Sequence, residues 1–199
     1  MKQIFQSLLP LILLIIACEK NQSNIIDKPN IIFIMSDDHT SQAIGAYKSR
    51  LSVLNPTPTI DRLSKEGILL ENVFCTNSIC TPSRATIMTG QYGQVNGVVD
   101  LTGKLKKENQ YLAIELGKLG YNTAMIGKWH LKYAPDSFDY YNVLPGQGDY
   151  FNPTLYSREG GVKKKFRFEK DLVREVNATK FEGHSSDVNA DLSIKWLSD

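Results

Sequence analysis

The segment Cys80-Thr81-Pro82-Ser83-Arg84, running on through Ala85-Thr86-Ile87-Met88 to Thr89-Gly90, restricts the fold more than any other stretch of the chain. Thr81 is a good N-cap, Pro82 suits the first helical position, and Gly90 suits the position just past the last turn. A short helix is therefore bounded at both ends. Cys80 stands immediately before its N-terminus, where exposed N–H groups and the helix dipole favour a negatively charged side chain or a bound oxyanion. Arg84, one turn in, can add a charge-assisted hydrogen bond to the same region. An isolated cysteine is usually a small core residue. Here the flanking proline, serine and arginine point instead to chemistry on an oxyanion ester.

Two further clusters fit that chemistry. The apolar run 31–35 (Ile-Ile-Phe-Ile-Met) is continuous, as in a strand buried on both faces of a parallel sheet. Asp37 and Asp38 follow at its C-terminal end, the end beyond which open α/β sheets bind ligands. Adjacent ionised carboxylates repel unless a cation neutralises them. The alternative is that one caps a turn while the other faces water. Downstream, residues 121–126 read as a strand delivering Gly127-Lys128-Trp129-His130. Along an extended segment Lys128 and His130 would share a face. Lysine is a point charge for a sulfate or phosphate oxygen, and histidine can donate or accept a proton. The plainer reading is an exposed lysine and a hydrogen-bonded core histidine. His39 and His184 have no comparable context and read as structural or surface residues.

Elsewhere, residues 59–66 read as a helix capped by Thr59 and stopped by Gly67, 69–74 as a strand, and 110–119 as an amphipathic helix ended by Gly120. The Pro-, Gly-, Asp- and Tyr-rich stretch 134–161 reads as a long loop with little regular structure. Lys163-Lys164-Lys165 reads as a solvated loop or hairpin edge, and 186–197 as a closing helix with Val188, Leu192 and Trp196 on one side. The fold expected is α/β, a mainly parallel sheet flanked by helices.

The N-terminus reads as a targeting segment. Lys2 precedes an apolar run too short to span a bilayer comfortably, and Ala17-Cys18 looks like a bacterial lipobox. The expected organisation is a lipoprotein signal peptide over 1–18, with Cys18 lipidated as the mature N-terminus, a polar tether over 19–29, and a catalytic region over 30–199. Acyl chains on Cys18 would hold the protein on a membrane of the bacterial cell envelope, exported and lipid-anchored. The alternative is an ordinary signal peptide with an incidental cysteine. Cys75 remains besides Cys18 and Cys80, so no disulfide framework follows, and a lone Cys75/Cys80 pair makes a poor zinc site. Hydrophobic residues at 42% of 199 allow a sizeable core. Lys plus Arg at 23 against 21 acids gives no support for nucleic-acid binding, which shows a basic excess.

Residues 30–38, 80–90 and 127–130 together resemble the N-terminal region of the type I sulfatases, in the alkaline phosphatase superfamily. Residues 57–63 and 117–121 also look like that family's helix and strand connections. The resemblance implies an alkaline-phosphatase-like fold, truncated here before the C-terminal part. It implies that a maturation enzyme oxidises Cys80 to formylglycine, whose hydrated aldehyde is the nucleophile. Asp37, Asp38 and the modified Cys80 would bind one calcium ion. Arg84 would hold the formylglycine, Lys128 would contact the sulfate group, and His130 would hydrogen-bond the nucleophile. The implied activity is hydrolysis of a sulfuric ester on a sulfated carbohydrate. The remaining calcium ligands and a further His and Lys of the family have no counterpart between His130 and Asp199, so weak metal binding and little turnover by this polypeptide alone are expected. Some relatives act on phosphoesters or phosphonates, and a non-catalytic carbohydrate-binding fragment is the third alternative.

Overall fold

The computed structural model describes residues 28–169 and 172–199. They fall into two units, one ending at His39 and one from Thr40 to Asp199. The signal segment expected over 1–18, with Cys18, and all but the end of the tether lie outside the described residues. Among the described residues, no helix is long and apolar enough to cross a membrane.

In the first unit the apolar run 31–35 is not a strand. Its side chains are exposed, from 40% at Met35 to 85% at Ile34. A strand buried on both faces needs hydrogen-bonded neighbours on each side, and among the described residues this run pairs with none.

The second unit opens with three single-turn 3-10 segments, Ser41–Ala43, Gly45–Tyr47 and Ser52–Leu54, followed by helix α1, Pro58–Glu66. Proline holds the first helical position, so the cap falls at Thr57, not at Thr59. Thr57 Oγ1 accepts from the Gly45 N–H at 2.9 Å and donates to Asp61 Oδ1 at 3.0 Å, while the Ala46 N–H donates to the same carboxylate at 2.7 Å. These bonds tie the 3-10 segments to α1. The strand expected over 69–74 is absent, and Leu70, Val73 and Phe74 are exposed. Helices α2 (Cys80–Thr89), α3 (Gly93–Asn96) and α4 (Leu112–Lys118) follow.

The sheet comprises β1 (Ala124–Lys128), β2 (Tyr140–Leu144), β3 (Thr154–Ser157), β4 (Val162–Glu169) and β5 (Leu172–Lys180), in the order β1-β2-β3-β5-β4. Helix α5, Ser185–Ser198, closes the chain with His184 as its N-cap, Nδ1 accepting from the Ser186 N–H at 3.2 Å. The expectation of a mainly parallel sheet is overturned: β1 and β2 pair parallel, and every other pairing is antiparallel. The stretch expected as a loop, 134–161, carries β2 and β3. The burial pattern gives the physical reason. Fully buried parallel strands read as apolar runs, and of β1, β2 and β3 only β2 keeps four consecutive residues buried, whereas β3 alternates. The β4–β5 hairpin leaves Val162 and Lys163–165 exposed at the outer edge, where lysines oppose pairing with another strand.

The main core joins α2 to the first two strands: Ala85, Val98, Leu105, Trp129, Leu131, Tyr141 and Val143. A second cluster, Leu144, Leu155 and Val188, seats α5, helped by Trp196 stacking on Tyr140 at 6.3 Å. Tyr111 packs against the first core, and burial pushes its phenol up to about 12. The parallel pair is pinned at its start by Asp139, whose Oδ2 accepts from the N–H and Oγ1 of Thr123, both at 2.9 Å. The backbone bond from Thr123, followed by that from its hydroxyl, holds the Asp139 carboxyl below the usual carboxylate value. A depressed folded pKa contributes stability above the unfolded value, and that contribution is lost as pH falls through the folded value. Asp139 is exposed, so solvent screens these bonds, and Asp139→Ala is expected to cost only about 0.5 kcal/mol near neutrality. In urea unfolding at a series of pH values, the gap to the wild type should close as the medium turns acidic. A gap that is constant down to the most acid point would contradict this.

Candidate active site

Helix α2 begins two residues earlier than its sequence signals indicate. Ile79 is the extended N-cap (φ −127°, ψ 148°), and Cys80 is the first helical residue. The first intrahelical bond runs from the Ser83 N–H to the Ile79 carbonyl at 3.1 Å. Thr81 therefore does not cap. It is fully buried, and its Oγ1 donates to the His130 carbonyl at 3.2 Å. Gly90 ends the helix in the left-handed region (φ 65°), its N–H on the Thr86 carbonyl at 2.8 Å.

Arg84, 7% exposed, donates from Nη1 to the Lys128 carbonyl. Thr81 and Arg84 thus bind the backbone of the segment that carries the other two candidates. That segment leaves the sheet abruptly. Strand β1 ends at Lys128, Trp129 turns into the core with Nε1 on the Tyr133 carbonyl at 2.5 Å, and His130 is left-handed (φ 54°). The strand alternation expected to align Lys128 with His130 stops before it reaches His130. The contacts to α2 fix the two residues instead.

Lys128 Nζ lies 3.5 Å from Cys80 Sγ, with an ammonium donor facing the half-buried thiol at the start of α2. The same nitrogen donates to Gln147 Oε1 at 2.6 Å. Gln147 is a site residue that the sequence reading missed. It sits in the turn after β2, with no charge and no periodic pattern to mark it. Its available signal was the Pro145-Gly146-Gln147-Gly148 turn directly after an apolar strand.

The structure thus brings Cys80, Arg84, Lys128 and His130 onto two adjoining pieces of backbone within the second unit. Asp37 and Asp38 belong to the first unit, where both are exposed and Asp38 adopts φ 56°, a conformation aspartate tolerates better than most residues. Carboxylates suit calcium, which takes six to eight oxygen ligands. Two fall well short of that number, and among the described residues no three His, Cys, Asp or Glu side chains gather to hold an ion. The residues present match calcium in kind but do not complete its shell. Cys75 and Cys80 are free thiols, Cys75 exposed, so they do not form a disulfide. His39 is exposed, and His184 is a helix cap that also packs edge-on against Phe151 at 5.0 Å.

Beside the site, a cavity of about 210 Å³ is lined by His130, Tyr133, Tyr141, Leu144, Tyr156 and Val176, among others. Burial raises the Tyr156 phenol above its ordinary value. Tyr133, Tyr141 and Tyr156 supply three of these walls.

Residues 29–199 match the Sulfatase family. The chain is 37% identical over 194 residues to the N-acetylglucosamine-6-O-sulfatase of Bacteroides thetaiotaomicron, covering 96% of this chain and 31% of that protein. It is 37% identical over 138 residues to arylsulfatase J of Mus musculus, covering 62% of this chain and 22% of that protein. A solved structure of a protein in complex with its substrate D-glucosamine-2-N,6-O-disulfate superposes with TM-score 0.73 at 35% identity, covering 86% of this chain and 31% of that one. A second, Ps i-CgsB, shares the fold with TM-score 0.69 at 22% identity, covering 86% of this chain and 41% of that one. The chain spans about a third of the length of the first of these relatives.

Proposed function

The chain belongs to the sulfatase family, and from that premise we propose that it carries the nucleophile-bearing part of a sulfuric ester hydrolase that removes sulfate from a sulfated carbohydrate. One observation carries this reading: Lys128 Nζ stands 3.5 Å from Cys80 Sγ at the first residue of a helix. A cation facing a side chain at a helix N-terminus, where the dipole favours negative charge, forms a seat for a tetrahedral oxyanion. Cys80 is the position a maturation enzyme oxidises to formylglycine, which supplies a hydrate oxygen as nucleophile.

In this reading the chain's own residues divide the work. Lys128 neutralises an equatorial sulfuryl oxygen as sulfur is attacked. Arg84 keeps Lys128 in place through its backbone and holds the group at position 80 one turn away. His130, fixed through its carbonyl by Thr81, hydrogen-bonds the nucleophile and handles its proton. The aromatic walls of the neighbouring cavity offer flat faces to a sugar ring. The relative solved with a 2-N,6-O-disulfated glucosamine, at 35% identity, makes a 6-sulfated amino sugar the substrate class to try first. Asp37 and Asp38 would supply two of the ligands to a calcium ion. The sequence of the first eighteen residues supports export and anchoring through Cys18 to the bacterial cell envelope.

The test is sulfate release from glucosamine 6-sulfate by the chain carried within a full-length sulfatase, since alone it spans about a third of a relative's length, made in cells that contain a maturation enzyme, with a phosphonate monoester assayed in parallel. Sulfate release with little phosphonate cleavage is expected. Phosphonate cleavage alone, or sugar binding without hydrolysis, would overturn the reading.

A further inference from the structure

The contact that the sequence reading did not anticipate is the one between Lys128 and Gln147, and the turn that makes it is built for a single geometry. Leu144 ends β2 as a buried residue, and the chain reverses through Pro145-Gly146-Gln147-Gly148, the Gly148 N–H donating to the Pro145 carbonyl at 2.9 Å. Gly146 and Gly148 both adopt positive φ, 56° and 77°. A Cβ on Gly148 would stand 2.9 Å from two carbons of the buried Leu144 side chain, so the turn has little freedom to relax. It carries Gln147 over the end of β1, where Oε1 accepts from Lys128 Nζ at 2.6 Å. Lysine has donors only, so the amide must present its oxygen.

On the reading given above, we propose that Gln147 is a positioning residue for the anion site: its amide oxygen holds the Lys128 ammonium beside Cys80 and yields that donor to an oxygen of the arriving sulfate group. A lysine side chain that samples many rotamers must be ordered before it can bind an anion. Gln147 keeps it ordered in advance with a neutral acceptor, so no charge is cancelled and the exchange of one acceptor for another costs little. A carboxylate at the same place would hold the ammonium as well but would compete with sulfate for it.

The experiment uses the full chain labelled with 15N-lysine, and the probe is inorganic sulfate. The first readout is exchange of the Lys128 ammonium protons with water, and the second is the sulfate concentration that half-saturates the Lys128 Nζ shift. Lys118, which pairs with Glu115, serves as internal reference. Gln147 is exposed, so its variants are expected to fold. Gln147→Ala should speed Lys128 exchange about tenfold and weaken sulfate binding about fivefold, the scale of one charge-assisted hydrogen bond and one ordered side chain. Gln147→Asn, one methylene shorter, should follow the alanine variant. Gln147→Glu should keep exchange slow and weaken sulfate about tenfold. Unchanged Lys128 exchange in the alanine variant would overturn the hold. Altered exchange with unchanged sulfate affinity in both the alanine and glutamate variants would overturn its role in anion binding. If sulfate leaves Lys128 unperturbed in the wild type, the anion-site reading itself falls, and the exchange rates measured without sulfate tell that failure from a failure of the hold.

Discussion

Cys80→Ala, placed within a full-length sulfatase, should abolish sulfate release, lowering turnover by at least about 10⁴-fold, because alanine at the first residue of α2 leaves nothing to oxidise to the aldehyde hydrate. The fold should survive the change. Cys80 is half-buried, lies outside the main core, and alanine is a good helix former at that position. The Lys128 ammonium remains in place, so inorganic sulfate should still bind, and loss of turnover with retained sulfate binding is the signature to look for. Lys128→Ala is the counterpart, retaining the nucleophile but removing the point charge on the transferring group. Its expected loss is about 10²–10³-fold. An alanine variant at position 80 that releases sulfate within tenfold of the parent would remove Cys80 from the chemistry.

Arg84→Ala should damage stability and the site together. The guanidinium is 7% exposed and bonds the Lys128 carbonyl at the end of β1. Removing it strands a buried acceptor and opens a cavity beside the core, a cost of about 2–4 kcal/mol. For a chain of this size that lowers the melting temperature by roughly 5–15 °C. Arg84→Lys should recover little, since a lysine ammonium lacks the planar fork that reaches this carbonyl. The site consequence separates this variant from an ordinary core lesion. With the strand end unbraced, Lys128 should bind sulfate more weakly even at temperatures where the variant remains folded. A variant that melts lower but binds sulfate as tightly as the parent would make Arg84 a packing residue alone.

Much of the site was legible in the sequence because its signals are local. Pro82 and Gly90 bound a helix whatever surrounds them, and an apolar run leading into Gly127-Lys128 gives a strand that delivers a lysine. The closing helix was readable from Val188, Leu192 and Trp196 for the same reason. What failed depends on partners distant in the chain. The run 31–35 has the composition of a central strand, but a strand exists only where another strand pairs with it. The direction of pairing was misjudged because β3, β4 and β5 carry the alternating or lysine-rich patterns of half-wet antiparallel strands within a region dominated by turn residues. Thr81 reads as a cap from its neighbours, yet a tertiary bond to the His130 carbonyl claims its hydroxyl. Gln147 was invisible because an uncharged amide acquires meaning only from what a turn places opposite it. Lys128 and His130 read as neighbours on one strand face, but the strand ends at Lys128, and bonds from α2 to the two backbone carbonyls hold the segment beyond it.

The measurement that bears most directly on the whole account is the intact mass of the peptide containing Cys80, taken from protein isolated from its native source. The account predicts a species in which oxygen has replaced sulfur at that position and an aldehyde reagent adds to it. A peptide carrying only the unmodified thiol in every molecule would contradict it.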